Sequence, residues 1–343
     1  MKFSIIIPTY GRTLEIIDNT ISSILERNDE IQDCIEIFLI DQNQPMLDIK
    51  SLFKKPLYNN LGTYIHHNRG DLHPISPLNN KIALVHISGG PPSTTIAKNY
   101  ALNLCKGEYL IFFDDDVIVQ KNCIRNHLQT FKLQENIGLV GGREIVFPQE
   151  LKRNKLRTIM LKCLEYLSKK SQDDDDYKVN NQYIGRIKSN SFMISNFDTP
   201  TDQIIKVDGV RGCNWSTSMK NIKAAGFFDE AFQGTALREE TDLFLRIRNL
   251  GKMNYYCGTA VAHHMRQLGG CNNLSQSFVA LKSKYTNELY FQRKHFFEQS
   301  SFYFFIRTLP LALENISATY GISLLLHCKT YLSFFFRRKN LPR

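Results

Sequence analysis

The 343-residue sequence has no stretch of about 18 uncharged apolar residues, so a membrane-spanning helix is not expected. Its first apolar run, residues 3–7, is too short for the hydrophobic region of a signal peptide, and Pro8 follows at once. Eight cysteines are scattered along the chain, and no two form a C-x-x-C pair. They read as reduced thiols in a cytosol, because a disulfide framework belongs to smaller, loop-rich secreted chains. No helix-turn-helix, zinc-finger or RNA-binding signature accompanies the net charge of +10, so nucleic acid is not the expected partner. There is no internal repeat. There is also no Gly-rich phosphate loop after the first apolar run, where Pro8-Thr9-Tyr10-Gly11-Arg12 stands instead. With 43% apolar residues, the chain has enough to build a core, which excludes a disordered chain.

What is present has the rhythm of an α/β protein. Residues 3–7, 35–40, 81–86 and 109–113 are solid apolar runs, the way buried parallel strands read. Between them, residues 14–26 carry apolar side chains at helical spacing. Residues 93–104 do the same, with Ser93 or Thr94 placed to cap the helix. Alternating strand and helix predicts a doubly wound, mainly parallel sheet with helices on both faces. Ligands bind such sheets at the carboxyl ends of the strands, where Thr9, Asp41 and Asp114-Asp115-Asp116 fall.

The pattern weakens over residues 150–207, read as an insertion holding a basic helix over 151–168, a run of four Asp and an irregular polar stretch. The expected division is a catalytic domain over 1–295, with a nucleotide-binding half over 1–120 and an acceptor half over 121–295. A basic, aromatic, helical tail follows over 296–343. Residues 277–343 hold ten Lys/Arg and three Glu, so about +7 of the net +10 lies there. Aromatic clusters beside cations suit an anionic membrane surface, which predicts peripheral attachment at the inner face. The competing reading has these helices folding back over the domain.

Three acids directly after a buried strand repel one another unless a cation neutralises them. Mg²⁺ or Mn²⁺ prefers such hard oxygen donors and can bridge a diphosphate. The bland alternative is a solvated acidic turn.

At this point the chain resembles glycosyltransferase family 2, the inverting GT-A enzymes. Residues Ser4 to Arg12 are similar to the family's first strand. Asp41 matches the acid closing its second strand. Gly90-Pro91-Pro92-Ser93-Thr94-Thr95-Ile96-Ala97-Lys98-Asn99 resembles G-x-x-x-A-R-N, with Lys98 where Arg is commoner. Gly107-Glu108-Tyr109 leads into the acidic triplet as in the family. Later come Gly212-Cys213-Asn214-Trp215-Ser216, Gly226-Phe227-Phe228-Asp229-Glu230 and Arg238-Glu239-Glu240-Thr241-Asp242-Leu243, in the family's order.

The resemblance implies a GT-A fold and a nucleoside-diphosphate sugar donor, with UDP the preferred nucleotide. Pro8, Thr9, Tyr10, Arg12 and Asp41 would hold base and ribose, and Lys98 the diphosphate, without Arg's bidentate fork. Asp116 would bind a divalent metal directly. Asp114 and Asp115 would share ribose contacts and support the metal, with Asp114 a further ligand. His263 and His264 follow a short strand expected over 259–262; strand alternation turns only one of them inward, as a metal ligand. Glu240 stands at the position of the base that takes the acceptor's proton, with Glu239 as fallback. Helix capping by this acidic pair is the plain alternative. Trp215 suits either an acceptor sugar or the core. A glycan or lipid-linked acceptor and a place in surface polysaccharide synthesis complete the expectation. The rivals are a nucleotidyltransferase and a non-catalytic sugar-nucleotide-binding module on the same fold.

Overall fold

The computed structural model describes residues 1–27, 29–69, 82–90, 92–133, 136–147, 175–187, 191, 193–267, 270 and 278–296. The expected helix over 151–168, Asp173 and Asp174 of the Asp run, and the tail beyond 296 lie outside the described residues.

The chain starts with β1 (Phe3–Thr9), α1 (Leu14–Leu25), β2 (Cys34–Asp41), β3 (Leu61–Asn68), β4 (Ile82–Ser88), α2 (Thr94–Leu104), β5 (Tyr109–Phe113) and β6 (Val117–Val119). Next come α3 (Cys123–Leu133) and β7 (Ile137–Val146). Two small hairpins follow, β8 (Lys178–Val179) with β9 (Gln182–Tyr183) and β10 (Arg186–Ile187) with β11 (Met193–Ile194). The chain continues through β12 (Ile204–Val207), β13 (Asn214–Ser218), α4 (Met219–Ala225), α5 (Glu239–Asn249), β14 (Met253–His264) and α6 (Phe278–His295).

Ten strands form one sheet in the order β12-β14-β7-β13-β5-β1-β2-β4-β3, with β6 on β14. The β3-β4-β2-β1-β5 half is entirely parallel. β13 enters antiparallel between β5 and β7, and β14 then runs parallel to β7. β1 shows how the layers arise. Phe3, Ile5 and Ile7 point to one face and Ile6 to the other, all fully buried. The first face is covered by α1 and α3, through Ile17, Ile21, Ile24, Cys123 and Ile124. The second is covered by α2, α4 and α5, through Ala97, Ala101, Ile222, Leu243, Phe244 and Ile247. Helices on both faces of a mainly parallel sheet make the α/β, doubly wound arrangement expected.

Several elements differ from the sequence reading. The expected insertion runs into the sheet, because Ile204–Val207 is the strand β12 paired antiparallel with β14. Its irregular polar part forms the two small hairpins. The strand expected over 259–262 is instead 12 residues long, Met253–His264, and includes both histidines. Trp215 is core: it is fully buried, stacked on Phe112 at 4.1 Å and edge-on to Phe244 at 4.9 Å.

Candidate active site

β5 ends at Phe113, so the next three residues emerge at the carboxyl edge of the sheet. Asp115 is held from below, its backbone oxygen accepting a 2.7 Å bond from Thr20 Oγ1 of α1. Asp116 is 2% exposed and Asp115 5%, whereas the Asp114 side chain keeps 41% of its exposure. Arg12, just past β1, is their counter-charge. Its Nε donates to Asp115 at 3.0 Å and its Nη2 to Asp116 Oδ2 at 2.8 Å, while Nη1 donates to the Gln267 carbonyl. The Gln267 backbone N–H adds a 2.9 Å bond to the same Asp116 oxygen.

The end of β14 brings in His264. Its Nε2 lies 3.1 Å from Asp116 Oδ1 and 3.9 Å from Asp114 Oδ2. Its Nδ1 is 2.7 Å from Glu144 Oε1 on β7. Glu144 in turn meets Arg211 Nε at 3.2 Å. His263 faces elsewhere, edge-on to Phe147 with ring centroids 5.3 Å apart. Of the two histidines, His264 joins the acids. Glu144 had no signal in the sequence; it is a lone acid in a strand, and only its pairing with His264 gives it meaning.

Across the crevice, Lys98 of α2 donates to Glu239 and to Glu240 of α5, both at 2.8 Å. The three are arranged by a helix start with Arg238 in the left-handed region (φ 78°). Neither Glu bonds the helix's own backbone as a cap. Asp242 instead takes ion pairs from Arg246, Lys294 and His295. Glu239 is buried and Glu240 half-buried. Lys98 therefore faces the two carboxylates rather than an open diphosphate position.

Asp41, fully buried at the end of β2, accepts from Asn43 and Leu47 backbone N–H groups and lies 3.0 Å from His86 Nε2. Thr9 is buried beside it in the β1–β2 register, and its carbonyl accepts from Gln42 at 3.0 Å. The Tyr10 carbonyl accepts from Gly270 at 2.7 Å. Pro8 is half-buried one position earlier on β1. These residues form the wall at the ends of β1 and β2.

The electrostatics follow from crowding. Burial raises the Asp114 carboxyl, and Glu240, Asp116 and Asp115 add repulsion, though its remaining exposure screens part of the rise. Burial also lifts Asp115, to about 6, against the pull of Arg12. For Asp116 burial acts in the same sense but His264 and Arg12 outweigh it, and its carboxyl is lowered. His264 loses solvation, yet its acidic partners, Asp116 first, raise it strongly toward the charged form. Lys98 is likewise raised by Glu239 and Glu240 despite full burial, and burial raises Glu239. Glu240 adds to the rise of Asp114, and Asp114 adds to the rise of Glu239, so the two acidic sets belong to one crevice.

A cation fits these donors. Asp116 Oδ1 is a buried oxygen that meets His264 Nε2 at 3.1 Å, and Asp114 Oδ2 and His264 Nε2 are within 4 Å of each other. The Glu144–His264 contact resembles the carboxylate support that orients metal-binding imidazoles.

Comparison with known proteins supplies the class. Residues 93–196 match the sequence model of the family described as Glycosyl transferase family 2. The "Uncharacterized glycosyltransferase YfnE" of Bacillus subtilis (strain 168) is 24% identical over 214 residues, which cover 55% of this chain and 53% of that protein. A crystal structure of GalNAc-T7 with UDP, GalNAc and Mn²⁺ superposes with a TM-score of 0.54 at 13% identity, covering 98% of this chain and 56% of that one. The chain thus spans about half the length of the relatives it matches. The sheet, with acids at its carboxyl edge, has the GT-A fold. The match over residues 93–196 and the 24% identity with a protein named as a glycosyltransferase support a place in glycosyltransferase family 2.

Proposed function

We propose that this glycosyltransferase is metal-dependent and inverting, and that it moves one sugar from a nucleoside-diphosphate donor, UDP preferred, to a glycan or lipid-linked acceptor. The observation that carries this reading is the meeting of two acidic sets in one crevice, Asp114–Asp116 with His264 on one wall and Glu239–Glu240 with Lys98 on the other. The GalNAc-T7 structure holds UDP and Mn²⁺ on the same fold, which supports a nucleotide and a cation here.

Asp114, Asp116 and His264 would hold the divalent metal, which supplies charge for the departing diphosphate. Arg12 keeps the acids compact and orients Asp116. The walls at Pro8, Thr9, Tyr10 and Asp41 would meet the base and ribose. Asp41's own bonds already fix its carboxylate, so its part is to shape that wall. Glu240, the more open of the pair, would accept the proton from the acceptor hydroxyl as that oxygen attacks the anomeric carbon. Lys98, shared between Glu239 and Glu240, holds Glu240 in place.

Surface polysaccharide synthesis at the inner face of a membrane suits a lipid-linked acceptor and the basic tail. Among the described residues no helix is long and apolar enough to cross a membrane.

The test is a thermal-shift screen over sugar nucleotides with and without Mn²⁺, followed by transfer assays. UDP-sugars should raise the melting temperature only with the metal, and Asp116→Asn should remove that rise. Full transfer in EDTA would refute the metal dependence.

A further inference from the structure

We propose that Cys213 is a sulfur ligand of the same metal, so that the site is a mixed carboxylate–imidazole–thiolate centre rather than an all-hard one. This rests on the reading of that crevice as a metal site.

The geometry is specific. One carboxylate oxygen of Asp114, Sγ of Cys213 and one ring nitrogen of His264 all lie within 4.8 Å of one another. The three come from different strands. Asp114 follows β5, Cys213 precedes β13, and His264 ends β14. β13 pairs antiparallel with β5, and the Asp114 N–H donates to the Cys213 carbonyl at 3.3 Å. The backbones are therefore fixed side by side, and the buried position of Cys213 leaves its side chain within this shell. Cys213 is 3% exposed, in a shell that otherwise belongs to the core. His264 has Nδ1 committed to Glu144, which leaves Nε2 for the trio. Asp116 Oδ1, itself buried, lies 3.1 Å from that Nε2, so a further carboxylate oxygen borders the same place.

Donor chemistry then sets the preference. Carboxylates alone suit Mg²⁺ and Mn²⁺, but a thiolate and an imidazole favour Zn²⁺ and Co²⁺. On binding, the Cys213 S–H bond breaks, the sulfur lone pair goes to the metal, and the proton leaves to the buffer. The chain should therefore take Zn²⁺ and Co²⁺ more tightly than the acidic triplet alone would.

The test titrates the full chain with Co²⁺ and reads the near-ultraviolet absorption of thiolate-to-cobalt charge transfer. The expected result is a saturable band that Cys213→Ser abolishes. Cys213→Ser should also weaken Zn²⁺ binding by about tenfold or more, at least what loss of a supporting partner costs, while changing Mg²⁺ binding little. Cys34, Cys123 and Cys257 remain in the variant as buried controls. Cys213→Ala serves if the serine variant melts early. Co²⁺ bound without the band, or a band that survives in both variants, overturns the proposal while leaving metal-dependent transfer standing. Failure to bind Co²⁺, Mn²⁺ or Zn²⁺ at all, with transfer indifferent to EDTA, overturns the metal reading itself.

Discussion

A Cβ added at position 212 would lie 1.9 Å from Glu240 Oε2, so this glycine exists to let a carboxylate rest against the backbone. The clash is with the far end of a flexible side chain, which can move. Gly212→Ala should therefore fold normally and displace the Glu240 carboxylate. Transfer should fall toward the level of Glu240→Gln, a loss of about 10² to 10⁴ if Glu240 is the base. Sugar-nucleotide affinity should persist in both variants, read by thermal shift. A Gly212→Ala enzyme with full activity would mean that the carboxylate position is not critical. If Glu239→Gln is the inactive variant instead, the roles of the pair are exchanged. At this scale the sequence names the acids but not their partners. Lys98 reaches Glu239 across 141 positions and Arg12 reaches Asp116 across 104, separations that no local spacing encodes. Cys213 shows the same limit, since a single cysteine in a G-x-N segment carries no chemistry until His264 is placed beside it.

Between elements, the contact of α3 with β13 carries a titratable group. His127 of α3 is fully buried, with Nε2 2.8 Å from Asn214 Oδ1 and Nδ1 2.9 Å from Ser216 Oγ. Burial pulls its imidazole from the ordinary 6.5 down to about 4. Between those values the unfolded chain binds a proton that the folded chain refuses, so stability falls as pH falls through that window. At about 1.4 kcal/mol per pH unit, the loss is roughly 3 kcal/mol by pH 4. Melting temperature should therefore drop between about pH 6.5 and 4, and His127→Gln should flatten that part of the curve. An unchanged acid limb in the variant would assign the drop to other groups. Elements with strong apolar runs were legible, and β5 begins and ends where its sequence pattern does. β3, half-exposed and rich in His and Asn, was not legible, nor were the two- to four-residue strands of the insertion. Their pairing is fixed by neighbours distant in sequence rather than by their own periodicity.

For the whole molecule, the alternation of strand and helix was enough to give the doubly wound half. The antiparallel entry of β13 between β5 and β7 was not foreseeable, because strand order depends on contacts across more than 70 residues. The tail question also belongs at this scale. If the segment beyond Ser300 holds the enzyme on a membrane, full-length protein should float with anionic vesicles, less so at high salt, and a chain ending near Ser300 should not. Precipitation of the shortened chain would instead assign those residues to the domain's own packing.

Arg12 gives the crevice one further property. It lies across Asp115 and Asp116 and is anchored to the Gln267 carbonyl, so the protein brings its own counterion to the place where its negative charge is most concentrated. Domains whose ligands repel one another without metal fold only when loaded. Here Arg12 is already in place as a counter-charge, so folding would not depend on the proposed metal. If the crevice holds the proposed metal, the metal-free chain should already be folded, and chelation should lower transfer without unfolding it.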